Sequence, residues 1–338
     1  MNTFTQPLDA AYRAPWFLPG GHAQTIVPAL WGKTHYSREA VVAHYARERW
    51  TAPDEDFIDV DFSKHAAVPN KPFVLLFHGL EGSSASPYAR AFLRWCEQRQ
   101  MGFAVAHFRG CSGSINLAPR AYHSGDWQEL DWIIRRLHAR LQASQTPLLI
   151  VGVSMGGNAL LRWAQELGDA ATQFASAIAA VCSPIDLAAG GHAIGRGLNR
   201  HIYTRNFLST MIPRALARLE LHPGLFDAQA LKGARDLYEF DNLFTAPVHG
   251  FRNTEHYWEA SSAKPHLHTI RLPALVLNAR NDPFVPAVSL PQQAEVGPYV
   301  QLCQPATGGH VGFPAGALPP SHVDALPRLV GDWLLAQI

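Results

Sequence analysis

Residues 148–157, Leu-Leu-Ile-Val-Gly-Val-Ser-Met-Gly-Gly, constrain the fold more than any other stretch of the chain. The first six form an unbroken apolar run, the pattern of a strand buried on both faces of a parallel sheet. A helical pattern follows from Asn158 to Leu167. Between them lies G-x-S-x-G, from Gly152 through Gly156. In a strand-turn-helix setting this pentapeptide forms a sharp turn with a strained serine at its apex. Small residues at 152 and 156 relieve the crowding, so Ser154 Oγ stands clear of the sheet. The helix that follows points its positive end at the same place, where developing negative charge is stabilised.

The rest of the chain repeats the buried-strand pattern. Phe73–Phe77, Gly102–Phe108, Phe174–Val181, Ala274–Leu277 and Tyr299–Cys303 read as strands. Pro87–Arg99, Trp127–Leu141 and Val323–Ala336 read as helices, the second with Leu130, Ile133, Ile134, Leu137 and Leu141 on one face. Alternation of this kind implies an α/β fold, a mostly parallel sheet flanked by helices. Two further strands, Val41–Trp50 and Phe57–Phe62, precede it. In the second, Ile58, Val60 and Phe62 alternate with Asp59 and Asp61, which predicts a half-exposed antiparallel strand. From about 188 to 267 no buried strand is evident, and the segment reads as a helical cap insertion. Residues 1–40, with Pro15, Trp16, Phe17, Pro19, Gly20 and Gly21, read as an ordered N-terminal arm rather than a helix. The expected organisation is a single domain over 1–338 with these two additions.

A serine hydroxyl is a poor nucleophile until a base removes its proton. Behind such an elbow the partners come in the order Ser, acid, His. Leu275-Val276-Leu277-Asn278 leads into Asn281-Asp282-Pro283, and Val300–Cys303 leads into Gly308-Gly309-His310-Val311-Gly312. The expected triad is therefore Ser154, Asp282 and His310. Asp186, after the strand ending near Cys182, is the rival acid, or else caps a local turn. Oxyanion donors are expected from the backbone N–H groups of Leu80, in Phe77-His78-Gly79-Leu80-Glu81-Gly82, and of Met155. His78 comes too early in the chain to be the base and reads as a residue that orients its loop.

These pieces resemble the YheT-like branch of the α/β-hydrolases. The matching segments are Gly21-His22-Ala23-Gln24-Thr25, His78-Gly79-Leu80-Glu81-Gly82-Ser83, His107-Phe108-Arg109-Gly110-Cys111-Ser112-Gly113, Tyr122-His123-Ser124-Gly125-Asp126, the elbow through Asn158, Asn281-Asp282-Pro283-Phe284 and Gly309-His310-Val311-Gly312-Phe313. They span about residues 15–315. The resemblance implies the α/β-hydrolase fold and the same triad, and leaves the substrate open. Arg109 and Asp126 are candidates for a buried pair beneath the site, the alternative being separate structural or solvated roles. His22 is expected to support the core.

The expected activity is a serine hydrolase, a carboxylic ester hydrolase working through an acyl-enzyme on a small-molecule acyl ester. The alternatives are acyl transfer to an alcohol on the same triad, and a non-catalytic binding protein. No cofactor and no metal are expected. Cys96, Cys111, Cys182 and Cys303 lack CxxC spacing, which argues against a zinc site or a disulfide framework. The 28 basic and 27 acidic residues give a net charge of +1, which argues against a nucleic-acid partner. Neither a secretory signal nor a transmembrane segment is evident, so a cytoplasmic location is expected, compatible with peripheral membrane contact. The 17 histidines contain one expected base, and the others have no assigned chemistry.

Overall fold

The computed structural model describes residues 12–34, 44–65, 68, 70–319 and 321–338. An eight-stranded sheet runs in the order β1-β2-β4-β3-β5-β6-β7-β8. Its strands are β1 (Tyr45–Thr51), β2 (Phe57–Ser63), β3 (Phe73–Phe77), β4 (Gly102–Ala106), β5 (Leu148–Val153), β6 (Ala177–Val181), β7 (Ala274–Leu277) and β8 (Val300–Cys303). Only β2 runs against its neighbours, pairing antiparallel with β1 and β4. From β4 to β8 every pairing is parallel.

The helices are α1 (Gly20–Thr34), α2 (Pro87–Gln98), α3 (Trp127–Gln142), α4 (Met155–Leu167), α5 (Leu187–Ile194), α6 (Arg205–Leu221), α7 (Thr254–Ser261) and α8 (Ala325–Leu335), with shorter turns between them. The unbroken apolar strands make sense once both faces are seen to be covered. Leu75 and Phe77 of β3 pack with Ile133 and Leu137 of α3 and Leu160 of α4. Val74 and Leu76, pointing the other way, pack with Phe92 and Trp95 of α2 and Val330 and Trp333 of α8. A period-2 strand between two helical layers has no solvent face. Between β6 and β7 the described chain forms helices and turns and no strand, with an apolar cluster that includes Leu208, Ala215, Leu231, Phe240 and Phe244.

Three expectations change. The N-terminal arm is not free of helix: α1 begins at Gly20, where a positive φ of 74° turns the chain after Pro19. The Pro/Gly/aromatic cluster is only the entry to that helix. Residues 1–11 and 35–43, the rest of the arm and the start of the first expected strand, lie outside the described residues. Second, β2 is antiparallel but not half-exposed. Asp59 and Asp61 are buried because Arg49 and Arg47 stand opposite them in register on β1. Each arginine makes a two-pronged ion pair, at 2.8 and 2.8 Å for Arg49–Asp59 and 2.7 and 2.9 Å for Arg47–Asp61. Third, Arg109 and Asp126 do not pair. Arg109 holds Glu129 at 2.5 Å and Asp54 and Asp56 at 2.8 Å, while Asp126 pairs with Arg120. Among the described residues no helix is long and apolar enough to cross a membrane.

Candidate active site

Ser154 lies at the tip of β5 with φ 52° and ψ −120°, a strained conformation for a side-chain-bearing residue. The neighbouring glycines make this possible. A Cβ at Gly156 would lie 2.5 Å from the carbonyl oxygen of His78, and one at Gly152 would lie 2.6 Å from that of Gly156. The Ser154 amide donates to the carbonyl of Val181 on β6 at 2.7 Å, tying the elbow to the sheet.

Asp282 and His310 follow β7 and β8, and parallel neighbours bring both loops to the same end of the sheet as Ser154. His310 Nε2 is 3.0 Å from Ser154 Oγ, and its Nδ1 is 2.8 Å from Asp282 Oδ2. Asp282 is buried. Its other oxygen accepts the backbone N–H groups of Phe284 at 2.7 Å and Val285 at 3.3 Å. The carboxylate is thus fixed before it meets the imidazole. The Phe284 ring lies 4.1 Å from that of His310, centre to centre. The three expected residues therefore form one hydrogen-bonded chain. Asp186 is elsewhere: it caps α5, accepting the Ala189 N–H at 3.0 Å.

Leu80 and Met155 flank the serine. The amides on either side of Leu80 are occupied, Gly79 by Tyr88 Oη at 3.0 Å and Glu81 by Tyr122 Oη at 3.2 Å. Among the described residues, neither the Leu80 nor the Met155 N–H donates to a backbone carbonyl outside the helices and strands. His78 holds this loop. It accepts the Phe108 N–H at Nε2 (3.1 Å), so its proton sits on Nδ1, which donates to the Gly79 carbonyl at 2.7 Å. Burial, and then the nearby His107, push its pKa down to about 3, so the ring stays neutral.

The segments without assigned chemistry prove to be struts of this site. Gln24 Oε1, on α1, accepts from Asn281 Nδ2 at 2.9 Å and from the Gly308 N–H at 2.8 Å. Thr25 Oγ1 accepts the His310 N–H at 2.8 Å. One helical turn thus holds both the Asp282 loop and the His310 loop. Gly312 is packed so closely that a Cβ there would lie 1.7 Å from the Gln24 carbonyl oxygen. His22 Nδ1 meets Tyr203 Oη at 3.0 Å. Asn158 Nδ2 donates to the carbonyls of Ser124 and Ser261, both at 2.8 Å. These roles were not readable from residue type. Their only signal was that the segments occurred together. Glu81 links two layers: Tyr122 Oη donates to its Oε1 at 2.9 Å, and Arg214 of α6 reaches the same oxygen at 2.7 Å.

Two cavities open onto Ser154. The first, about 150 Å³, lies under α5–α7 and is walled by Leu80, Met155, Leu187, Met211, Phe240 and Trp258. The second, about 380 Å³, lies beside α1 and is walled by Ile26, Leu30, Tyr88, Ile202, Tyr203 and Phe284. A bond held at Ser154 Oγ can therefore extend a substituent into each.

Comparison with known proteins gives a consistent picture. The family model of the alpha/beta hydrolase fold matches residues 72–317. YheT of Escherichia coli (strain K12), whose name carries an unproven esterase assignment, is 34% identical over 93% of this chain and 89% of its own length. The monoacylglycerol lipase of Saccharomyces cerevisiae is 28% identical over 79% of this chain, which spans 59% of that relative. Phospholipase ABHD3 of Bos taurus is 29% identical over 78% of this chain and 64% of its own. Among solved structures, the Pyrococcus furiosus esterase Pf2001 superposes with a TM-score of 0.53 at 14% identity, covering 89% of this chain and 93% of that one. Esterases, lipases and phospholipases among the relatives support ester hydrolysis as the general chemistry.

Proposed function

This chain belongs to the α/β-hydrolase fold family, in its YheT-like branch, and on that basis we propose that it is a serine carboxylic ester hydrolase working through an acyl-enzyme. The observation that carries the reading is the chain Asp282–His310–Ser154, at 2.8 and 3.0 Å. His310 Nε2 takes the proton of Ser154 Oγ as the oxygen attacks the ester carbonyl. The tetrahedral oxyanion is received by the N–H groups of Leu80 and Met155. His310 then passes its proton to the departing alcohol, leaving Ser154 acylated. Water, deprotonated by the same imidazole, releases the acid. Asp282 keeps the Nδ1–H tautomer and stabilises the imidazolium. The helices between β6 and β7 act as a cap over the acyl chain. Fluorophosphonate labelling tests the reading: an adduct on Ser154 is expected, and full esterase activity in Ser154→Ala overturns it.

The second cavity favours one further reading, acyl transfer to an alcohol seated beside α1. Hydrolysis and transfer separate only after the acyl-enzyme forms. Product analysis with ethanol or glycerol present distinguishes them: free acid alone at every acceptor concentration rules transfer out.

A further inference from the structure

We propose that the mouth of the second cavity, where α1 meets Ile202, Tyr203 and Asn206, together with the adjoining segment 196–201, is a docking surface for an anionic lipid bilayer. That substrate passes from this surface to Ser154 rests on the ester-hydrolase reading above; the docking itself does not.

The charge distribution is the first observation. The 33 residues from Leu187 to Leu219 contain five arginines and no Asp or Glu, in a chain whose 28 basic and 27 acidic residues nearly balance as a whole. Two of the five are turned inward. Arg214 binds Glu81, and Arg218 is buried, donating to the carbonyls of Ala118 at 3.1 Å and Arg120 at 2.6 Å. The other three, Arg196, Arg200 and Arg205, make no ion pair with any described residue. Glu239 lies within electrostatic reach of Arg200, but it is already paired with Arg235 at 2.6 Å. Arg196 and Arg205 are exposed, as is His201 between them.

The second observation is the exposed apolar surface interleaved with these cations along the chain. The chain from Gly197 to Leu221 is a continuous helical rod with one π-helical turn at Arg200–Thr204. Leu198 and Ile202, four residues apart, share a face. They are 66% and 41% exposed, and Leu30 at the end of the described α1 side chains is 57% exposed. Leu30 and Ile202 also wall the cavity that ends at Ser154 and His310. A scattered surface leucine needs no explanation. Two large apolar side chains at the rim of a cavity leading to a nucleophile, with exposed Leu198 one turn from Ile202 and guanidinium groups outside any ion pair interleaved along the same helical segment, match an interfacial segment. Such segments seat apolar side chains among lipid headgroups and cations against anionic ones.

The test is sedimentation of full-length Ser154→Ala protein with phosphatidylcholine vesicles, with and without 30% phosphatidylglycerol. Binding is expected to the anionic vesicles only, and to fall at 0.5 M salt as the charges are screened. Arg196→Gln/Arg200→Gln/Arg205→Gln should weaken it by at least about tenfold. Leu198→Ser should also weaken it. Both variants should melt with the parent and, in the Ser154 background, turn over a soluble short-chain ester at the parent rate. Failure to bind anionic vesicles overturns the proposal. So does equal binding to neutral vesicles, binding unchanged in the triple variant, or retention by heparin without vesicle binding. Absence of ester turnover by the protein that retains Ser154, with vesicle binding intact, would instead overturn the hydrolase reading alone.

Discussion

Asp282 shows how much of the site depends on one carboxylate having all its partners. One oxygen is committed to two backbone N–H groups and the other to His310. Asp282→Asn keeps the shape and the backbone acceptor but allows the wrong imidazole tautomer. It should lower kcat by about 10³–10⁴-fold, with little change in melting temperature, as steady-state kinetics beside a thermal melt would show. His78 and His123 make a different kind of prediction. Burial, followed by the nearby His107, holds His78 at about 3. Burial also holds His123 down, to about 4, against the opposing pull of Asp126. Both fold as neutral rings. Below about pH 6.5 the unfolded chain takes up these protons and the folded chain does not. Stability is therefore complete above that pH and declines toward pH 4, by about 1.4 kcal/mol per pH unit for each histidine. Urea unfolding at pH 7, 6 and 5 measures the slope, and His123→Gln should make it shallower.

At the level of elements, α1 and α6 do more than pack. Gln24 on α1 serves the Leu18 carbonyl at 2.8 Å as well as Asn281 and Gly308. Gln24→Ala leaves three polar groups unpaired near the triad and should cost about 2–4 kcal/mol of stability. Because the loops it holds carry the acid and base, kcat should fall more than KM rises. On α6, Arg214 joins the helical segment over the first cavity to Glu81, next to Leu80. Arg214→Met strands a mostly buried carboxylate and should cost about 1–3 kcal/mol. Adding Glu81→Gln should return part of that stability, because the uncompensated charge is gone. A double-mutant cycle read by denaturation checks this, and strict additivity of the two changes would contradict the coupling.

Across the whole molecule, the alternation of apolar strands and amphipathic helices was legible because each strand carries its own evidence of double burial. The juxtaposition of Ser154, Asp282 and His310 was legible because parallel strands put the loops after β5, β7 and β8 at one end of the sheet. Asp59 and Asp61 misled, since alternation cannot say whether a carboxylate faces water or a cation. The answer lay in the registered arginines on β1, two residues apart like the aspartates. Arg109 likewise found its partners on segments far away in the chain. By itself, then, the sequence determined the layered sheet and the order Ser154, Asp282, His310, because these follow from local periodicity and chain direction. Only the tertiary structure decided that Gln24 and Thr25 brace the two loops, that Arg214 meets Glu81, and that two cavities converge on Ser154. Such contacts join residues remote in sequence, and neither residue type nor spacing encodes which buried polar group will satisfy which.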